Sequence, residues 1–152
     1  MNQSNSIKFE YMTLAHLEDV YAIELNCFSI PWEKEDFVKE LTENKMAIYI
    51  VAFFGDEMVG YGGMWHIVNE GHITNIAVTD KYREKGIGTA ILRRMLEIAD
   101  EKDMIGITLE VRVGNESAMK LYSKFGFKVE GLRKNYYADT KEDAVIMWKD
   151  LT

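Results

Sequence analysis

Arg83-Glu84-Lys85-Gly86-Ile87-Gly88 sits between an apolar strand pattern, Ile73 to Val78, and an amphipathic helix pattern, Thr89 to Lys102, whose apolar positions Ile91, Leu92, Met95, Leu96 and Ala99 share one face. A strand, a glycine turn flanked by cations and a helix start together present unpaired backbone N–H groups to a phosphate. The glycines permit turn angles and close approach that a Cβ forbids, and the helix start adds about half a positive charge. From Asp80 to Arg94 five cations face two anions, a local net charge of +3 inside a chain of net −7. An anion is the expected guest. The spacing is not a P-loop, and Gly86-Ile87-Gly88-Thr89-Ala90-Ile91 lacks the third glycine of a dinucleotide fingerprint.

Further along, Thr108-Leu109-Glu110-Val111-Arg112 sets a carboxylate in a strand pattern whose alternate residues Ile107, Leu109, Val111 and Val113 are apolar. A central parallel strand is normally apolar on both faces, so Glu110 needs a reason. One reading is an ion pair with Arg112, two residues along on the same face. The other is a general base, direct or through water, facing a cleft beside the anion site. Tyr122 falls on the apolar face of a helix pattern where a tyrosine is ordinarily core, yet a phenol of pKa about 10 stays protonated at neutral pH and can donate. Asn115 stands where a helix cap is expected. His66 and His72 have the side chain best suited to a base near neutral pH, but both lie in or near strand ends, and they rank behind Glu110. Cys27 is the single cysteine, so no disulfide forms within the chain, and no histidine motif supports it as an acyl-carrying nucleophile. Without C-x-x-C or H-E-x-x-H spacing, no metal site is expected.

The elements that must hold these residues follow from hydrophobic period. Ile7 to Tyr11 alternates as a strand, and Thr13 caps a helix through Leu17, Val20, Tyr21 and Ile23 that ends before Pro31. Glu33 to Leu41 resumes a helix. Met46 to Phe54 and Met58 to Val68 read as an antiparallel strand pair joined by Gly55-Asp56-Glu57, and Gly71 to Val78 as a third strand. Ile105 to Val113 is the next strand, parallel to the one ending at Val78 if the helix between them is a crossover. Asn115 to Phe125 is a helix with Gly126 at its C′ position, and Lys128 to Tyr137 and Ala144 to Lys149 are closing strands around a polar loop. The expected fold class is α/β, one mixed central sheet flanked by helices in the order βααβββαβαββ.

Beside these elements, R-x-x-G-x-G following Ile76-Ala77-Val78, and Asn115-Glu116-Ser117-Ala118-Met119-Lys120-Leu121-Tyr122 as N-x-x-A-x-x-L-Y, resemble the GNAT family of acetyl-CoA-dependent N-acetyltransferases over nearly the whole chain. The resemblance implies the GNAT fold and acetyl-CoA as co-substrate. It implies that Arg83, Glu84, Lys85, Gly86, Ile87, Gly88 and Thr89 cradle the pyrophosphate. The backbone of Ile76, Ala77 and Val78 would pair with pantetheine where that strand diverges from the next, and the same separation would supply an N–H for the thioester carbonyl. Asn115 would bond the pantetheine or phosphate region, and Tyr122 would protonate the departing thiolate, with Glu110 as base.

Within the family the likeness is strongest to the ribosomal-protein alanine N-acetyltransferase branch, on Cys27-Phe28-Ser29-Ile30-Pro31-Trp32, the spacing of Glu110 and Tyr122, and Asn135-Tyr136-Tyr137. That implies Phe28, Trp32, Tyr136 and Tyr137 as walls of a peptide groove, and a protein N-terminus as partner, a ribosomal protein beginning with alanine. Direct attack in a ternary complex is the implied route. An energetic argument agrees with an α-amine. Deprotonating an amine of pKa about 8 at pH 7 costs roughly 1.4 kcal/mol, against roughly 4.6 kcal/mol for a lysine. Acetylation of a polyamine, an aminoglycoside or a lysine is the alternative, and a non-catalytic acyl-CoA sensor is a third reading that Glu110 and Tyr122 together argue against.

Bulk properties bound these readings. A chain of 152 residues with 47% hydrophobic and 28% charged residues suits one packed domain, 1–152. The longest apolar run, Met46 to Phe54, is too short to span a membrane, and residues 1–10 carry no apolar signal core, so a cytoplasmic protein is expected. Net −7 and a pI near 5.0 argue against nucleic acid as a direct partner and favour a cationic substrate.

Overall fold

The computed structural model describes residues 6–152; residues 1–5, the start of the expected 1–152 unit, lie outside the described residues. Seven strands form one mixed sheet: β1 (Ile7–Tyr11), β2 (Ala47–Phe54), β3 (Glu57–Ile67), β4 (Glu70–Val78), β5 (Gly106–Arg112), β6 (Lys128–Arg133) and β7 (Ala144–Asp150). Their lateral order is β1-β2-β3-β4-β5-β7-β6. Helices α1 (Leu17–Cys27), α2 (Lys34–Thr42), α3 (Ile87–Glu101) and α4 (Glu116–Lys124) complete the chain order βααβββαβαββ.

Each face of the sheet buries a separate core. Ile91, Leu92, Met95 and Ile98 of α3 pack with Ile107, Leu109, Val111 and Met147 on one face. Val20 and Ile23 of α1 and Phe37 of α2 pack with Tyr49, Val51, Tyr61 and Ala77 on the other. The close approach of α3 depends on glycines in β3. A Cβ at Gly62 would stand 2.8 Å from both Ile91 Cγ2 and Met95 Sδ, and one at Gly60 2.9 Å from Ile91 Cδ1. Because side chains alternate along a strand, burying Ile107, Leu109 and Val111 toward α3 turns Thr108, Glu110 and Arg112 toward the α1–α2 face.

Two irregularities open the middle of the sheet. The register of β3 with β4 slips between Gly63, opposite Asn75, and Met64, opposite Ile73, which makes Thr74 an extra residue on β4. A bulge bends its strand and sharpens the twist. The parallel pairing of β4 with β5 covers only Glu70 with Gly106, Gly71 with Ile107 and His72 with Thr108, and so ends just before that bulge. From Ile73 to Val78, β4 therefore leaves β5, whose outer side pairs in full with β7 from Gly106 to Arg112.

Several boundaries differ from the sequence-based expectation. A 3₁₀ turn, Leu14–His16, intervenes between Thr13 and α1. β3 ends at Ile67 because Val68 takes a left-handed φ of 57° in a tight turn. Helix α3 begins at Ile87 rather than Thr89, which puts Ile87 and Gly88 inside the first turn. The strand expected through Tyr137 stops at Arg133: Asn135 turns left-handed at φ 53° and donates its backbone N–H to Asp143 Oδ1 at 2.9 Å. Asn115 does cap α4, accepting from Ala118 N–H at 3.2 Å, and Gly126 follows that helix at φ 93°. Among the described residues no helix is long and apolar enough to cross a membrane.

Candidate active site

The turn between β4 and α3 folds as a left-handed pair of kinks, Glu84 at φ 61° and Gly86 at φ 83°. Gly86 is the N-cap residue and provides no side chain to bond the helix. The amide of Ala90 is bonded to Gly86 C=O at 3.0 Å, and those of Ile87, Gly88 and Thr89 precede it as the helix's unsatisfied donors. They line a hollow of about 480 Å³ with Val78, Tyr82, Arg83, Glu84 and Gly86, closed on its far side by Asn115, Ser117, Ala118 and Leu121 at the start of α4. A Cβ at Gly88 would touch Val78 Cγ2 at 3.9 Å and Leu121 Cδ2 at 4.0 Å, both walls of the hollow, so a larger side chain there would fill it. Free backbone donors at the start of a helix suit an anion such as a phosphate group.

Two residues of the expected cradle behave differently. Lys85 is exposed and is not among the lining residues. The Arg83 guanidinium is tied inward: Nε donates to Val78 C=O at 3.1 Å, Nη2 to Cys27 Sγ at 3.2 Å, and Nη1 pairs with Asp80. Burial pushes the Cys27 thiol up, opposed by the Arg83 guanidinium. Arg83 thus braces the end of β4 against α1.

Where β4 and β5 part lies a cleft of about 250 Å³. Ile73, Thr74, Asn75 and Ile76 form one wall, Leu109, Glu110, Val111 and Arg112 the other, with Asn115, Ala118 and Tyr122 from α4 and Phe28 and Tyr137 from two loops. Asn115 and Ala118 border both hollows. Glu110 reaches the cleft from the α1–α2 face of the sheet. Tyr122, which packs against the α3-side core, reaches it from the opposite face.

The Tyr122 ring meets Phe127 edge-on at 5.5 Å, and its hydroxyl makes no hydrogen bond among the described residues. Burial, reinforced by Tyr137, pushes its pKa up to about 12. Glu110, with a side chain 31% exposed, lies 3.7 Å from Arg133 Nε, so the expected alternative pairing with Arg112 does not form. Arg112 instead donates through both Nη atoms to Asp139 at 2.9 Å and stacks 4.0 Å over the Tyr137 ring. Burial also raises the Tyr137 phenol to about 12 against the pull of Arg112.

Phe28 and Tyr137 of the expected peptide groove line the cleft, whereas Trp32 and Tyr136 do not. Trp32 packs on Phe37 at 5.1 Å, and half-exposed Tyr136 stands edge-on to Tyr137 at 5.1 Å. Ile76 and Val78 border the hollows, and Ala77 is buried in the opposite core. His66 and His72 are not among the lining residues. Thr74 and Asn75 were missed, although two polar residues inside the apolar run Ile73 to Val78 were a visible signal. Among the described residues no group of three or more His, Cys, Asp or Glu could hold a metal ion.

Comparison with known proteins bears on this geometry. Residues 17–127 match the model of the acetyltransferase (GNAT) family. A Bacillus subtilis (strain 168) protein named "Putative ribosomal protein bS18-alanine N-acetyltransferase" is 44% identical over 137 residues, covering 90% of this chain and 91% of the relative. An N-alpha-acetyltransferase of Sulfolobus acidocaldarius is 35% identical over 148 residues, covering 89% and 87%. Among solved structures, the crystal structure of the ribosomal-protein-S18-alanine N-acetyltransferase from Escherichia coli superposes with a TM-score of 0.89 at 26% identity, over 96% of this chain and 94% of that one. The matched segment runs from α1 through Phe127 and so contains the whole cradle, Glu110 and Tyr122; the chain belongs to the GNAT family and is an acetyl-CoA-dependent N-acetyltransferase.

Proposed function

We propose that this enzyme acetylates the N-terminal α-amine of a protein, a ribosomal protein beginning with alanine, by direct attack of the amine on acetyl-CoA. The observation that carries the reading is the meeting of Glu110 and Tyr122, from opposite faces of the sheet, at the one cleft where β4 and β5 separate. Acetyl-CoA supplies an activated acetyl group as its thioester. The amides of Ile87, Gly88 and Thr89 hold its diphosphate, and the unpaired edge of β4 from Ile76 to Val78 holds the pantetheine arm. Glu110 takes a proton from the ammonium form of the α-amine and passes it to water, and the neutral nitrogen then attacks the carbonyl carbon and gives Glu110 its second proton as the amide forms. Tyr122 gives its proton to the sulfur as the carbon–sulfur bond breaks, leaving the acetylated amine and free thiol. Both residues then exchange protons with water. Phe28 and Tyr137 flank the entry of the acceptor, Trp32 anchors the same loop as Phe28 on Phe37 of α2, and Tyr136 extends the outer rim.

Two facts favour an α-amine over a lysine. Relatives are named a ribosomal protein bS18-alanine N-acetyltransferase and an N-alpha-acetyltransferase. The α-amine also needs about 3 kcal/mol less to lose its proton at pH 7, so a single carboxylate suffices. Thiol release should be measured with an alanine-first peptide, the same peptide blocked at its N-terminus but carrying a lysine, and spermidine. Turnover on the free N-terminus alone is expected. Preference for spermidine or for the lysine would replace the reading with the small-amine or lysine alternative, and acetyl-CoA binding without turnover on any amine would make the chain a sensor.

A further inference from the structure

Glu24 is a carboxylate 2% exposed, in the middle of the α1–α2 core, that the mechanism above does not use. Its two oxygens have different partners. Oε2 accepts the backbone N–H of Trp32 at 2.9 Å, on the loop that carries Phe28. Oε1 accepts the hydroxyl of Tyr61, which is fully buried in β3. Burial pushes the Glu24 carboxyl above its usual range, and the bonds from Tyr61 and Trp32 oppose that rise.

The direction of these bonds has a consequence in the cleft. Tyr61 has one proton, and Glu24 receives it, so the phenolic oxygen can only accept from its other neighbour. That neighbour is Asn75, whose Nδ2 lies 3.3 Å away and donates. An asparagine amide has a donor end and an acceptor end, so fixing Nδ2 on Tyr61 fixes Oδ1 at the other end. There Thr74 Oγ1 donates to it at 2.9 Å, using one of its two lone pairs. Asn75 and Thr74 both line the cleft, at the bulge where β4 leaves β5.

We infer that Glu24 is a positioning residue that acts through Tyr61 to hold Asn75 with its carbonyl oxygen as an acceptor for the N–H of the incoming amine. This deepens the proposed function and rests on it. The Asn75 oxygen would orient the nitrogen from the β4 wall while Glu110 withdraws its proton from the β5 wall. A glutamine at position 24 could still accept from Trp32, but its NH₂ would face Tyr61. The phenol would then have to turn its proton toward Asn75 Nδ2, two donors would meet, and the amide would flip its NH₂ into the cleft.

The test compares wild type, Tyr61→Phe, Glu24→Gln, Asn75→Ala and the double variant Tyr61→Phe/Asn75→Ala by thiol release, varying the alanine-first peptide and acetyl-CoA separately. Tyr61→Phe leaves the Glu24 bond to Trp32 intact and so isolates the relay from the loop brace. Each single variant should lose about tenfold in kcat/KM for the peptide, the size of one hydrogen bond, with the KM for acetyl-CoA within about twofold of wild type. The double variant should be no worse than Asn75→Ala alone, because the residues act in series. The side-chain NH₂ signals of Asn75 in a ¹⁵N spectrum should move in Tyr61→Phe and Glu24→Gln, a readout that needs no turnover. Unchanged peptide kinetics in Tyr61→Phe, multiplicative losses in the double variant, or stationary Asn75 signals would each overturn the relay while wild-type turnover upholds the parent reading. A wild type that turns over no amine overturns both.

Discussion

Tyr122 carries its proton at neutral pH because burial pushes its phenol up to about 12. At neutral pH it can act as a proton donor but not as a base. Tyr122→Phe should therefore lower kcat by about 10²–10⁴-fold, the usual worth of a positioned acid, while calorimetry finds acetyl-CoA affinity within a few-fold of wild type. Equal losses in both would make the hydroxyl a binding group. Glu110→Gln should lower kcat/KM at pH 7 and recover as pH rises past about 8, where an α-amine is neutral without help. A pH profile parallel to wild type would remove Glu110 from proton transfer. Glu110 was legible in the sequence as a charge in an apolar strand, but its neighbour was not: the partner is Arg133, from the far side of β7, and no spacing rule connects them.

Among the elements, the two loops that frame the cleft are tied to each other through the carboxylate of Asp139. Asp139, in the β6–β7 loop, accepts from Ser29 Oγ in the α1–α2 loop and from both Nη atoms of Arg112 in β5. These hydrogen bonds hold its carboxyl down to about 2. A depressed carboxylate stabilises the fold above the unfolded-state pKa of about 4, and that contribution is lost as pH falls through the folded value. The difference in Tm between wild type and Asp139→Asn should stay constant above about pH 4 and close as pH approaches 2; a gap that persists in acid would mean the lost interaction is not ionic. The element types themselves were readable from period 2 and period 3.6, including α4 with its Asn115 cap and Gly126 stop. The bulge at Thr74 was not, because it arises from pairing with β3, and the strand expected to reach Tyr137 stops where Asn135 bonds a side chain instead of a neighbouring strand.

At the scale of the molecule, the separation of β4 from β5 leaves the sheet joined across its centre by three residue pairs, with helices packed on either face. A ligand whose chain pairs with the free edge of β4 and whose diphosphate rests on α3 would bridge that gap. Acetyl-CoA at 100 times its Kd should stabilise the fold by about 2.7 kcal/mol, which for a domain of this size raises Tm by roughly 5–10 °C. Scanning calorimetry with and without the ligand measures it directly. No shift at saturating concentrations would mean that the cradle does not seat a diphosphate. The +3 carried by Asp80 to Arg94 is largely spoken for in the fold, Lys81 pairing with Glu57, Arg83 with Asp80 and Arg94 with Glu97 and Glu101, so the seat for such an anion would be the backbone amides at the start of α3.

What the sequence alone determined is local: where strands and helices lie, where a glycine turn leaves amides unpaired, and which side chains can exchange protons. Those properties depend on residues within a few positions of one another. Tertiary structure alone decided that β4 and β5 part after His72, that Glu110 and Tyr122 come to one opening from opposite faces, and that Arg83 and Arg112 turn to protein partners. These are outcomes of pairing between segments tens of residues apart, where burial of two apolar faces dictates which side of a strand each polar residue must take.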